Sequence, residues 1–287
     1  MSDDQEQLNR WDQRLGPQRE AELKTAAAYQ ARGDHHAEHG RLEEAMADYQ
    51  RAVHLEGDDP TLITRLGDAY MAQGDSVRAI SHYRRALAAN PNHAESNFCL
   101  AETYRKHGRM KGAITLYRKA VYAQPKNAYF RYRLGSAYFR VGRNEDAVEE
   151  LRRTVELAPR DGFYRFWLGD LLLRLHRLDE AVVELEAAVR LSPFDDYYCV
   201  RLGMLYSRIG RGDDSVAVFR RAIQLRPGNA GYHWLMADSF AAMGYPLRAA
   251  LHYEIAGELD PYDQDYVDRM RRQYEEVAEA AGVAAAD

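Results

Sequence analysis

The chain has 287 residues, a formal net charge of −5 and a sequence pI of about 6.1. An acidic chain is not built as a whole to neutralise a phosphate backbone, so no nucleic-acid partner is expected. No run of 18 apolar residues occurs, and Met1 to Arg10 lacks the basic and apolar parts of a secretory signal. No membrane span is therefore expected, and the location reads as cytoplasmic.

The chain opens with Leu8, Trp11 and Leu15 at i, i+3 and i+7, one stripe on a short helix that Gly16-Pro17 breaks. Residues 1–25 read as a helical extension, either a cap or a second surface that docks a partner or another copy. Pro17 is placed to open a long helix running to about Glu38.

From Ala26 the chain repeats every 34 residues without insertion: 26–59, 60–93, 94–127, 128–161, 162–195, 196–229 and 230–263. The eighth place is small in every block: Gly33, Gly67, Ala101, Gly135, Gly169, Gly203 and Ala237. So is the twentieth: Ala45, Ala79, Ala113, Ala147, Ala181, Ser215 and Ala249. Glycine inside a helix costs about 1 kcal/mol relative to alanine, so its recurrence demands a packing reason. Close approach of the two small places in each block is the expected reason. Leucine or methionine holds the seventh place from Leu66 onward, and Tyr49, Tyr83, Tyr117, Leu151, Leu185, Phe219 and Tyr253 hold the twenty-fourth. Gly40, Gly74, Gly108, Gly142, Gly210 and Gly244 end a first helix, and a proline closes each block but the first. Each block reads as helix, turn, helix, turn.

The first block departs from the rest, with Arg32 where leucine is expected and His36 where tyrosine is. It also holds His35 and His39, four apart, a partial signal for a shared metal that lacks the further ligands a structural site needs. Cys99 and Cys199 lie three blocks apart and read as free core thiols. No Gly-rich phosphate loop, HExxH or GxSxG motif is present, so neither catalysis nor a cofactor is expected. After the last block, residues 264–281 carry an amphipathic pattern that reads as a capping helix, followed by a short tail to 287.

The order Leu-Gly, Tyr, Ala, aromatic, Ala, Pro resembles the tetratricopeptide repeat (TPR) over residues 26–263. The resemblance implies an all-α fold, a right-handed superhelical solenoid of seven hairpins whose concave groove is lined by the first helices. It also implies that places 2, 5, 9, 12 and 13 of each first helix face that groove. On this chain those places bring Phe98, Arg105, Lys106, Tyr129, Tyr132, Phe139, Arg140, Phe163, Phe166, Arg174, Tyr197, Arg208 and Trp234 to a partner-binding surface. Aromatics beside cations suit a protein segment with acidic and apolar side chains. The carboxylate clamp of co-chaperone relatives is not matched, because no asparagine stands at places 6 or 9. Arg133 and Arg201 do stand at place 6. The expected function is that of a non-catalytic adaptor, with a self-assembling scaffold or an accessory subunit of an enzyme complex as alternatives.

Overall fold

The computed structural model describes residues 25–261 together with 268, 269, 271–273 and 275. The Leu8, Trp11 and Leu15 stripe lies outside the described residues, as does most of the expected capping segment. The chain divides into two compact units between Arg143 and Asn144.

In the first unit the helices are α1 (Ala26–Glu38), α2 (Leu42–Glu56), α3 (Pro60–Gln73), α4 (Ser76–Ala89), α5 (Ala94–Lys106), α6 (Met110–Ala123) and α7 (Ala128–Arg140). In the second they are α8 (Asn144–Leu157), α9 (Gly162–Arg174), α10 (Leu178–Leu191), α11 (Asp196–Arg208), α12 (Gly212–Leu225), α13 (Ala230–Ala242) and α14 (Pro246–Leu259). Within each unit the helices pair as hairpins, α1 with α2, α3 with α4, α5 with α6, and α9 with α10, α11 with α12, α13 with α14. The second helix of each hairpin packs on the first helix of the next hairpin in its unit. No single hairpin encloses its own apolar face, so stacking supplies the core.

The helix starts have a local cause. The residue before each first helix is polar, and Asp59, His93, Asn127, Asp161 and Asp195 each accept a backbone N–H of the first turn. That satisfies donors the helix itself leaves unpaired. Thr25 does the same for α1 from an extended conformation, accepting from Ala28. An unbroken helix from Pro17 to Glu38 is therefore excluded, because the chain leaves helical geometry at Thr25.

The small eighth place has a further neighbour beyond the one its sequence pattern implies. A methyl group added at Gly67 would lie 2.5 Å from the Tyr83 ring, and one at Gly33 would lie 2.7 Å from Tyr49. Gly203 meets Phe219 at 2.6 Å and Gly169 meets Leu185 at 2.8 Å in the same way. The glycine thus makes room for the large side chain at place 24, and place 20 comes close as well, where Ser215 donates to the Gly203 carbonyl at 3.0 Å. A planar ring can lie flat on bare backbone, and the twentieth place is small for its own packing, with Ala45, Ala79, Ala113, Ala147, Ala181 and Ala249 fully buried.

The first turn after each first helix uses left-handed backbone. Gly40, Gly74, Gly108, Gly142, Gly210 and Gly244 all have positive φ. In the fifth repeat the residue at this place is His176, with φ 60°. It adopts the glycine conformation with a side chain attached.

The irregular first hairpin closes by an ion pair. Arg32 donates to the buried Asp48 from Nε at 2.6 Å and Nη2 at 2.5 Å. Arg51 adds a bond to the same carboxylate at 3.3 Å. Arginine in the leucine place is compensated by an acid across the hairpin, which a buried carboxylate requires.

Candidate functional site

On α5 and α7 of the first unit, Phe98 stacks on Phe130 with centroids 4.5 Å apart and 17° between planes. Tyr129 leans against Phe98 at 5.4 Å and 54°. Phe130 is buried, whereas Tyr129 is 44% exposed. Tyr132 and Phe139 are half-buried, and Lys106 and Arg140 are exposed. Burial raises the Tyr132 hydroxyl above its ordinary value, against the nearby Arg133 charge. Beside the rings, the Glu102 carboxylate accepts bonds from Arg133, from Arg105 and from the Tyr117 hydroxyl. Burial works against the Arg133 charge, but Glu102, Tyr117 and Tyr129 together outweigh it and the guanidinium is held more firmly protonated.

On α9 and α11 of the second unit the same arrangement recurs. Phe166 stacks on Tyr198 at 4.4 Å and 10°, and Tyr197 leans against Phe166 at 5.4 Å and 56°. Tyr197 is 55% exposed, Phe163 41% and Trp167 37%. The nearly buried Asp170 accepts from Arg201 and, at 2.8 Å, from Arg174. Burial pushes the Tyr198 hydroxyl up to about 12.

One residue that the sequence assigned to the surface sits elsewhere. Phe166 is 4% exposed. It is the support on which Tyr197 and Tyr198 rest and does not face solvent, because place 5 lies against the next first helix. Trp234 is half-buried, with the Arg269 guanidinium 4.9 Å above its ring. Arg208 donates to His176 Nδ1 at 2.8 Å.

Sequence reasoning missed four contributors. Trp167 is exposed beside Phe163, at a centroid distance of 6.1 Å. Arg133 and Arg201 look like fragments of an incomplete clamp, yet they fasten one first helix to the acid of the preceding one. Tyr198 is the fourth. The signal for the arginines was a spacing of 31 residues from the ninth-place acid to the sixth-place arginine, which recurs in Asp34–Arg65 at 3.7 Å and Asp238–Arg269 at 2.7 Å.

His35 and His39 do lie close, with ring centroids 4.2 Å apart, but His39 Nδ1 is bonded to the His35 carbonyl at 2.8 Å. Among the described residues no group of three or more His, Cys, Asp or Glu is arranged to hold a metal ion. No helix among them is long and apolar enough to cross a membrane. Cys99 and Cys199 are free thiols, and burial pushes both thiol pKa values up, which suppresses the reactive thiolate.

Family models described as tetratricopeptide repeat match residues 64–128, 132–196 and 197–229, and one described as TPR repeat matches 33–74. No curated protein matches the chain. Among solved structures, the MamA protein aligns with a TM-score of 0.56 at 22% identity, covering 60% of this chain and 94% of that one. YrrB, solved as a TPR protein with an unusual peptide-binding site, aligns with a TM-score of 0.58 at 19% identity, covering 66% and 97%. A tetratricopeptide repeat protein from Parabacteroides merdae aligns with a TM-score of 0.57 at 17% identity, covering 87% and 98%. Repeats of this kind are generally non-catalytic scaffolds for protein–protein interaction. With family matches over more than half of its length and the helical hairpins they describe, this chain belongs to the tetratricopeptide repeat family.

Proposed function

We propose that the first-helix face of repeats 3 to 6 binds a segment of another protein, and that the chain serves as an adaptor within a multiprotein complex. The observation that carries this reading is the exposure of Tyr129, Phe163, Trp167 and Tyr197 on first helices, with the Arg133 guanidinium 5.8 Å from the Tyr129 ring. Clustered aromatic surface facing water marks an interaction site, and aromatic and arginine side chains dominate interface energy. The cations at place 13, Lys106, Arg140, Arg174 and Arg208, favour a segment that carries carboxylates as well as apolar side chains.

The test is affinity purification with the full chain from the native cell. Replacing Tyr129, Phe163 and Tyr197 with alanine, and Arg140 and Arg174 with glutamate, removes the partner while the far-ultraviolet circular dichroism stays unchanged. Retention of the same partner by that variant contradicts the proposal.

A further inference from the structure

The two aromatic clusters are copies of one another. Phe98, Tyr129 and Phe130 correspond to Phe166, Tyr197 and Tyr198 two repeats later, and the matching ring distances differ by no more than 0.1 Å. Glu102 with Arg133 corresponds to Asp170 with Arg201. Neighbouring first helices in the same unit lack the arrangement. In the first unit the preceding pair has Thr64 against Glu95 and Ser96 at these places, and in the second the following pair has Val200 against Gly231 and Tyr232. Between the two clusters, Tyr132, Phe163 and Tyr164 fill the same ring places, but Ser136 and Trp167 stand where the acid and the arginine stand, so among the described residues each compact unit holds one cluster with that pair.

From this we infer that the chain carries two equivalent docking modules, one in each unit. Each takes one short protein element consisting of an apolar anchor beside a carboxylate. The inference rests on the reading of the first-helix face as a partner-binding surface and adds what that partner must present: the same element twice.

The chemistry of the element follows from the module. A buried ring, Phe130 or Tyr198, forms a fixed base, and the leaning tyrosine offers an exposed aromatic face with a hydroxyl at its edge. Such a face gains by covering with an apolar side chain. The charge beside it has the same sign in both units. On α5 and α7, Arg105, Lys106, Arg133 and Arg140 stand against Glu95 and Glu102 at the outward places. On α9 and α11, Arg174, Arg201 and Arg208 stand against Asp170 alone. Each module thus carries more guanidinium and ammonium than carboxylate, which selects an acidic neighbour for the anchor. A partner that presents the element twice gains from the second site an effective concentration set by the link between its two elements.

The experiment pans a phage-displayed library of random dodecapeptides on the full chain and titrates the recovered peptide by calorimetry. Two peptides bind per chain with similar affinity. Tyr129→Ala removes one site and Tyr197→Ala the other, whereas Tyr129→Phe and Tyr197→Phe keep both, which separates loss of the ring face from loss of fold. Changing the peptide's carboxylate to an amide weakens binding by about tenfold, equal to about 1.4 kcal/mol. A single peptide per chain, weakened by either alanine substitution, overturns the two-module inference and leaves partner binding at this face standing. Failure to recover any peptide that depends on Tyr129 or Tyr197 overturns both.

Discussion

Tyr83 donates its phenolic hydrogen bond to Asp68 at 2.7 Å, joining the second helix of a hairpin to the first. Tyr49 and Asp34 repeat the bond at 2.7 Å, and Tyr117 with Glu102 and Tyr253 with Asp238 repeat it again. In the three blocks where place 24 holds Leu151, Leu185 or Phe219, the ninth place holds Ser136, Asp170 or Met204. Only Asp170 remains acidic there, and it takes two arginines in place of the tyrosine. The acid at place 9 is thus a node that binds the hairpin within a repeat or fastens one first helix to the next.

The node predicts an asymmetry at Asp68. Burial raises the pKa of this carboxyl above its ordinary value, so its charged form costs stability at neutral pH. Asp68→Asn keeps an acceptor for Tyr83 and removes the charge, and leaves thermal stability equal or higher. Asp68→Ala strands the buried hydroxyl and costs about 1–3 kcal/mol. Denaturant melts of both variants at pH 7 check the difference.

At His176 a side chain occupies left-handed backbone that six other repeats give to glycine. His176→Gly is expected to raise stability by roughly 1 kcal/mol, since the exposed bond to Arg208 offsets little of the strain. His176→Ala keeps Cβ and gives no comparable gain. Thermal melts of the two variants separate backbone strain from side-chain loss.

The last hairpin carries a pH dependence. His233 and His252 meet with Nδ1 atoms 3.2 Å apart, His252 stacks on Phe240 at 5.6 Å, and Arg220 adds like charge to His252. Burial holds both imidazoles below their ordinary value, although the Pro227 carbonyl works the other way on His233. The folded chain therefore refuses protons that the unfolded chain takes up below about pH 6.5. Stability is full above that pH, falls as pH drops through it, and levels off once the folded values are passed. His252→Gln removes part of this slope, so its melting temperature declines less than the parent's between pH 7.5 and pH 5.

Much of the fold was legible in the sequence because helical repeats write their packing as a period. Ala26, Pro60, Ala94, Ala128, Gly162, Asp196 and Ala230 open the 34-residue blocks and begin the first helices. What each small residue touches was not legible. Gly67 and Tyr83 lie 16 positions apart on different helices, and the period alone does not say whether glycine faces alanine or an aromatic ring. The candidate surface was legible as a set of places, but not which of them reach solvent. Phe98 and Phe166 share place 5 with Thr64 and Val200, and only the next first helix, with its rings at places 2 and 3, decides that Phe166 is a buried support while Tyr197 reaches solvent. Arg133 and Arg201 were visible as residues, yet their role depends on an acid in the preceding repeat.

The most direct measurement of which face meets a partner is site-specific photo-crosslinking in the native cell. Benzoylphenylalanine replaces Tyr129 or Tyr197 on first helices, or the exposed Val77 or Val183 on second helices. The account predicts a crosslinked protein partner from Tyr129 and Tyr197 and none from Val77 and Val183. Crosslinks confined to Val77 and Val183 would contradict it.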